Sequence, residues 1–369
     1  MSVESLARPE IVAMKPYSSA RSEAPGQGVL LNANEAPRSL LVGDRASELE
    51  RQLNRYPDPQ PQRLVERLAA LYGVAADRVL VTRGSDEGID LLTRVFCHAG
   101  RDAILQCPPT FGMYRIAAQA QGAAVVDVAR EADDDFRLDG ERLLRRFRED
   151  GRIKLVFLTS PNNPTGDCVD RGLLQDLLEA ARGRAVVVLD EAYQEFCGGP
   201  SAVDLVDRHD NLAVLRTLSK AWAAAGLRCG TVLAQPELLA LLRRVIAPYP
   251  LPSPVVALAL RMLEDDMLER QRELLDEIAR NKRVLLETLA GRPFLRRLLP
   301  GEANFVLARV DDAPGLLAFC AARGVVLRGY ASDPALRGQV RISVGSREDL
   351  AALAAALDAY KQAELEQSA

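Results

Sequence analysis

The chain has 369 residues, 48% of them hydrophobic and 27% charged, with a net charge of −4; that length suits two domains, or one with an appended lobe, and offers no bulk positive field for nucleic acid. Of its 47 basic residues only five are lysines (Lys15, Lys154, Lys220, Lys282 and Lys361), which leaves 42 arginines, and arginine stays protonated and cannot supply a nucleophilic amine. Two distant histidines, His98 and His209, exclude a histidine-rich metal centre, and no metal is expected.

The first ~45 residues are rich in Pro, Gly and Asn, with no apolar segment of the kind a secretory leader needs. From about residue 79 short apolar runs alternate with helical stretches. Strands are expected at 79–81, 103–105, 125–128, 155–158, 186–189, 213–216 and 231–233, with helices near 85–97, from 111 and at 139–149. Continuous β-branched runs alternating with helices indicate an α/β fold with a largely parallel sheet covered on both faces. The acidic run at 131–135 reads as an exposed loop. P-Y-P-L-P-S-P at 248–254 breaks the pattern. After it come one long amphipathic helix over 255–290, a strand at 304–308, a helix near 312–322, strands near 325–327 and 340–344, and a last helix at 347–360. These segments read as a smaller α+β lobe onto which the N-terminal arm wraps. The division expected is 46–254 for the large domain and 1–45 with 255–369 for the small one. No apolar run reaches the ~18 residues of a membrane helix, and the six scattered cysteines contain no C-x-x-C pair and read as buried, reduced thiols. The expectation is a cytoplasmic protein.

Several function classes lose their support. G-Q-G at 26–28 lacks the third glycine and the preceding strand of a dinucleotide fingerprint. No G-K-[ST], H-E-x-x-H or G-x-S-x-G is present, which removes P-loop, zinc-protease and serine-hydrolase readings.

In parallel sheets ligands sit beyond the carboxyl ends of the strands, so the residues that follow each run carry the functional information. T-R-G-S-D-E-G at 82–88 places Ser85 and Asp86 at a helix N-terminus, whose backbone N–H groups suit a phosphate. T-S-P-N-N-P-T-G at 159–166 forces an irregular turn that carries Asn162 and Asn163. D-E-A-Y at 190–193 ends an apolar strand on Asp190, a carboxylate that burial obliges to find a cationic partner, with Tyr193 on the same face. T-L-S-K at 217–220 presents the scarce lysine, Lys220, after Ser219 and eight residues before Arg228. A lysine there is either a salt-bridge partner or a covalent amine. A phosphate cradle, an amide, a carboxylate with a phenol, and an amine together match the needs of pyridoxal 5′-phosphate.

The succession S-P-N-N-P-T-G, D-E-A-Y, T-L-S-K and G-L-R-C-G resembles the fold type I pyridoxal-phosphate aminotransferases, with a mostly parallel central sheet plus a smaller α+β lobe. P-Y-S-S-A-R at 16–21, L-N-A-N-E at 31–35, Y-P-D at 56–58, C-P-P-T-F-G-M-Y at 107–114, V-I-A-P-Y-P-L at 245–251 and R-I-S-V-G at 341–345 resemble the histidinol-phosphate aminotransferase family. The resemblance implies that Lys220 bonds the cofactor covalently and shuttles the proton. It implies that Asp190 pairs with the pyridine nitrogen, that Asn163 and Tyr193 bond the phenolic oxygen, and that Phe111 stacks on the ring. Ser85, Asp86, Ser219 and Arg228 would surround the cofactor phosphate. Tyr56 would reach it from the other subunit of a homodimer. Tyr17, Asn34, Arg328 and Arg341 would meet the substrates, with Arg341 on the carboxylate of glutamate and Arg328, Arg341 and Tyr17 on the phosphate of histidinol phosphate. Phe111 stands where tyrosine is common, Ser85 where alanine is common and Trp222 where phenylalanine is common. Tyr114 carries the weakest expectation, a packing aromatic. The implied reaction is transamination between L-histidinol phosphate and 2-oxoglutarate. Aromatic amino-acid transamination and decarboxylation of threonine phosphate share the same cofactor site, and a pyridoxal-phosphate-binding regulator without turnover is disfavoured because every expected catalytic group is present.

Overall fold

A computed structural model of the protein describes residues 29–32, 34, 37 and 57–367. Seven strands form the main sheet: β2 (Val79–Thr82), β3 (Ala103–Gln106), β4 (Ala124–Asp127), β5 (Ile153–Thr159), β6 (Val186–Asp190), β7 (Leu212–Thr217) and β8 (Gly230–Ala234). Their order is β2-β8-β7-β6-β5-β3-β4. β8 alone runs against its neighbours, pairing antiparallel with both β7 and β2. The other pairings are parallel, so the ends of β2, β3, β5, β6 and β7 and the start of β8 lie along one edge.

Alternation along each strand sends successive side chains to opposite faces. Leu80, Ile104, Leu155, Phe157, Val188, Leu215 and Val232 pack under α2 (Gly84–Phe96), α3 (Met113–Gln121) and α6 (Pro236–Leu242). Val79, Val81, Leu105, Val156, Leu158, Val187, Leu189 and Val214 belong to the second core, with α4 (Gly140–Glu149) and α5 (Arg171–Ala181). Both faces are covered, which is why the strands read as unbroken apolar runs. α1 (Gln62–Tyr72) closes this second core through Leu64, Val65 and Leu68.

A separate sheet orders β12 (Arg328–Gly329), β13 (Gln339–Ser343), β10 (Phe305–Val310) and β9 (Leu295–Leu299), all antiparallel. β1 (Val29–Leu30) pairs in parallel with β11 (Val325–Val326), which attaches the described part of the N-terminal arm to the lobe's elements. α9 (Ala313–Ala321) and α10 (Arg347–Gln367) complete this part of the chain. The acidic run at 131–135 contains the exposed 3-10 turn Ala132–Asp134, and the half-buried Asp135 that follows pairs with Arg297 of β9 and is held below the usual carboxylate range by that bond.

Two expectations are corrected. The helix at 255–290 is two helices, α7 (Ser253–Met262) and α8 (Asp265–Leu289), broken at Leu263–Glu264. Glu264 is extended there, Asp265 and Asp266 enter the first turn of α8, and Arg261 bonds both Glu264 and Asp266 at 2.7–2.8 Å. Acidic residues at a helix N-terminus are favoured by its dipole, so the sequence E-D-D starts a new helix rather than continuing the old one. The cysteines are also not all buried: Cys97, Cys107, Cys229 and Cys320 are, whereas Cys168 is exposed and Cys197 half-buried.

Candidate active site

A cavity of about 510 Å³ opens where the strand ends meet the small lobe, and its lining includes Asn34, Ser85, Asp86, Phe111, Asn163, Asp190, Tyr193, Ser219, Lys220, Arg228 and Arg341. Each of these is among the site residues expected from the sequence. Tyr17 and Tyr56 lie outside the described residues. Arg328 is not in the lining; it sits in β12 opposite Arg341 of β13, with its guanidinium 5.6 Å from the Tyr330 ring centre.

At the end of β2, Gly84 (φ +75) starts α2; the N-cap residue Arg83 makes no side-chain capping bond, and its N–H donates to Glu87 Oε2 at 2.7 Å. A Cβ on Gly230 would lie 2.8 Å from Ser85 N, backbone that cannot give way, so that position requires glycine; at Gly84 the positive φ favours glycine, and a Cβ there would press on Arg228 Nη2 at 2.7 Å. Arg228, itself at φ +52, donates from Nη2 to Asp86 Oδ2 at 3.0 Å and from Nη1 to the Ala225 carbonyl at 3.1 Å, with the Ser219 hydroxyl 3.4 Å away. Ser219 is fixed in turn by Thr217, whose Oγ1 accepts from Ser219 N at 3.1 Å. Helix amides, a guanidinium and a hydroxyl thus converge on one spot, an arrangement suited to a phosphate.

The second cluster follows from strand periodicity. Asp190 lies on the same face of β6 as Val188, and Thr159 on the same face of β5 as Phe157; the two are register partners. That face is the one α3 covers. In the first turn of α3, Tyr114 stacks on Phe157 (4.7 Å, 8° between planes) and meets Phe111 edge-on at 5.7 Å. Its hydroxyl donates to Asp190 Oδ2 at 2.8 Å and lies 2.7 Å from Thr159 Oγ1. Ala192 N donates to Asp190 Oδ1 at 3.1 Å. Burial raises the Asp190 carboxyl to about 6 against the pull of these two donors. Burial also pushes the Tyr114 hydroxyl well up, so it remains a donor. A buried carboxylate with both oxygens engaged can hold a protonated ring nitrogen. Neighbouring Glu191 is 1% exposed but faces away, bonded to Arg216, Ser201 and Ala202 N.

The third cluster joins the two sheets. Arg341 donates from Nη1 to Asn163 Oδ1 at 2.5 Å and from Nη2 to the Asn32 carbonyl at 3.0 Å, while its buried Nε has no partner among the described residues. Tyr193 accepts from Asn34 Nδ2 at 3.3 Å, and Asn34 is locked by Ser343 through both its N–H and Oδ1. Lys220, half-buried rather than fully buried, places Nζ 5.7 Å from the Tyr193 ring centre. Asn162 is not part of the lining: its amide is consumed by Pro109, Thr110 and Thr165 and it shapes the loop that presents Asn163. Tyr114 and Thr159 are the functional candidates sequence reasoning missed or ranked last. The signal available was the period-two alternation that puts Thr159 and Asp190 on the α3 face.

The sequence profile described as Aminotransferase class I and II matches residues 27–357. The chain is 44% identical over 362 residues to the histidinol-phosphate aminotransferase of Aeromonas salmonicida, covering 97% of this chain and 98% of that protein. It is also 44% identical to the protein of that name from Xanthomonas euvesicatoria pv. vesicatoria, over 98% of each. Among solved structures, the histidinol-phosphate aminotransferase of Sinorhizobium meliloti in complex with pyridoxal-5′-phosphate superposes with a TM-score of 0.83 at 23% identity, over 96% of this chain and 97% of that one. At that identity the likeness is one of fold.

Proposed function

The chain belongs to the class I and II aminotransferases, and within them to the histidinol-phosphate aminotransferases; from that premise we propose that it moves an amino group between L-histidinol phosphate and 2-oxoglutarate, using pyridoxal 5′-phosphate, in histidine biosynthesis. The observation that carries the reading is the single cavity in which Lys220, Asp190, Asn163, Tyr193, Arg228 and Arg341 converge from four strand ends and the small lobe.

The residues present fit the cofactor. The Gly84–Gly230 cradle with the backbone N–H groups of Ser85 and Asp86, the Ser219 hydroxyl and Arg228 would hold its phosphate, Asp190 its ring nitrogen, Asn163 and Tyr193 its phenolic oxygen, Phe111 its face, and Lys220 its aldehyde carbon. When bound, pyridoxal phosphate supplies a carbonyl that captures the amine and a ring that takes up electrons from the substrate α-carbon.

The remaining work falls to the chain. Tyr114, whose hydroxyl also meets Thr159, and Ala192 N hold the Asp190 carboxylate in place and favour its ionised form against the cost of burial. Lys220 Nζ acts as general base at the substrate α-carbon. Arg341 takes the carboxylate of glutamate in one half-reaction and joins Arg328 and Tyr17 on the substrate phosphate in the other, since a guanidinium suits both anions. To do so it must share or surrender its bond to Asn163. Two copies pair, with Tyr56 of one reaching the cofactor phosphate of the other. Residues 46–254 form the cofactor-holding domain and 1–45 with 255–369 the smaller one. The reaction belongs to the cytoplasm; among the described residues no helix is long and apolar enough to cross a membrane.

A half-reaction tests this reading. The purified holoenzyme given L-histidinol phosphate alone should lose the visible absorbance of its bound aldehyde form as the amine form accumulates, and 2-oxoglutarate should restore it. A spectrum unmoved by either compound would contradict the proposal.

A further inference from the structure

Amino transfer uses none of the six cysteines, yet two of them meet. Cys168 and Cys197 are 29 residues apart in sequence and their sulfurs are 3.0 Å apart. Cys168 is exposed and ends the loop that presents Asn163; Cys197 follows the 3-10 turn Gln194–Phe196, directly after Tyr193. We propose that Cys168 and Cys197 are an oxidation site, closed to a reversible disulfide by a hydroperoxide and reopened by a dithiol, that clips the Asn163 loop to the Tyr193 loop.

The geometry suits a bond between these two. A disulfide is about 2.05 Å long, so one sulfur must advance by about 1 Å. The Cys168 side is rigid: Asn162 N donates to the Asp167 carbonyl at 2.8 Å, Arg130 Nη1 holds the Asp167 carboxylate at 2.6 Å, and Val169 N donates to Ser160 Oγ at 3.0 Å. On the other side Cys197 Sγ accepts from Gly199 N at 3.4 Å, and the Gly199 carbonyl accepts from Gln194 Nε2 at 2.8 Å, so closure exchanges the long Gly199 N–H contact for the S–S bond.

The chemistry balances in two steps. The exposed Cys168 sulfur attacks the peroxide oxygen and breaks the O–O bond; water or an alcohol departs with the thiol proton, and Cys168 carries a hydroxyl. The Cys197 sulfur then attacks Cys168, the S–O bond breaks, and hydroxide leaves with the Cys197 proton as water. The two sulfurs give up two electrons and the peroxide accepts them. Partial burial of the sulfur, and then the contact with Cys197, push the Cys168 thiol up to about 12, so the attacking thiolate is a minor form at neutral pH.

The consequence for the cofactor rests on the proposed function. Asn163 and Tyr193 would hold the same oxygen of the cofactor from two loops, and a covalent tie between those loops resists the parting that releases it. The holoenzyme, treated with hydrogen peroxide and alkylated, is mapped by peptide mass spectrometry without reduction, and cofactor loss after dilution is timed in parallel. The expected result is a Cys168–Cys197 cross-linked peptide lacking two hydrogen atoms and removed by dithiothreitol. Cofactor loss should be severalfold slower in the oxidised wild type, and no such slowing should occur in Cys168→Ser or Cys197→Ser. Oxygen accumulating on Cys168 with no cross-link overturns the disulfide. A cross-link with unchanged cofactor loss overturns the clip. If the chain bound no cofactor at all, the peptide map would still report on the disulfide, so the two failures are distinguishable.

Discussion

Replacing Asp190 by asparagine should stabilise the cofactor-free protein while destroying its activity. Asp190 is 2% exposed, and its carboxyl rises from 3.8 to about 6 because burial disfavours the charge. Between those values the folded state binds more protons than the unfolded one. The stability it contributes is therefore fully present below about 3.8 and is lost as pH rises through about 6. At about 1.4 kcal/mol per pH unit, the ionised group costs about 3 kcal/mol at neutral pH. Asparagine cannot ionise. It keeps the bond from Ala192 N, and the Tyr114 hydroxyl can turn to accept from the new amide while donating to Thr159. Urea unfolding of cofactor-free wild type and Asp190→Asn across pH 3.5–7.5 checks this. Other carboxylates cancel in the difference, which should move in favour of the variant by up to about 3 kcal/mol between pH 4 and 7. With the cofactor bound, the positive ring nitrogen should abolish that window. A wild-type-minus-variant difference that is constant across the range, or that moves the other way, would refute the claim that burial raises Asp190.

Other substitutions test separate parts of the site. Tyr114→Phe removes a buried hydrogen bond to a charged group, worth about 1.5–3 kcal/mol, and should lower turnover roughly 10- to 100-fold with little change in KM; an unchanged kcat makes Tyr114 a packing residue only. Gly84→Ala adds a Cβ 2.7 Å from Arg228 Nη2 at positive φ, and should weaken cofactor affinity, measured by equilibrium titration, well before it unfolds the protein. Lys220→Ala should cost at least about 10²–10⁴-fold in amino transfer, the scale of a lost general base, and should leave no cofactor covalently trapped by borohydride. Lys282 donates to the Gly301 and Ala303 carbonyls, and burial lowers it to about 8 from 10.5. The unfolded chain therefore binds more protons between those values, and wild type should gain stability over Lys282→Met as pH rises from 8 to 10.5, read by thermal unfolding.

What the sequence revealed follows from how far each inference had to reach. Lys220, Asp190 and Asn163 were legible because each ends or follows an apolar β-branched run, and a parallel sheet brings such ends to one edge. Gly84 and Arg228 were legible as a helix start and a nearby guanidinium, although not the positive φ at Gly84 nor the 2.7 Å that separates its Cβ position from Arg228 Nη2. The reversal of β8 was hidden, because V-L within a strand reads alike in both directions. The break at Leu263–Glu264 was hidden because the apolar period runs on across it, and only the preference of acidic residues for a helix N-terminus, at E-D-D, marks it. Tyr114 was underrated because a helix position tells which core a side chain joins but not which atom its hydroxyl meets. Cys168 and Cys197 are brought together by two loop paths that no short motif encodes.

The most direct measurement is the rate of amino transfer to 2-oxoglutarate from L-histidinol phosphate, phenylalanine and threonine phosphate, each offered to the purified holoenzyme under the same conditions. Histidinol phosphate should be turned over with the highest kcat/KM of the three and without release of carbon dioxide. Faster transfer from phenylalanine, or carbon dioxide from threonine phosphate, would contradict the substrate assignment while leaving the cofactor site intact.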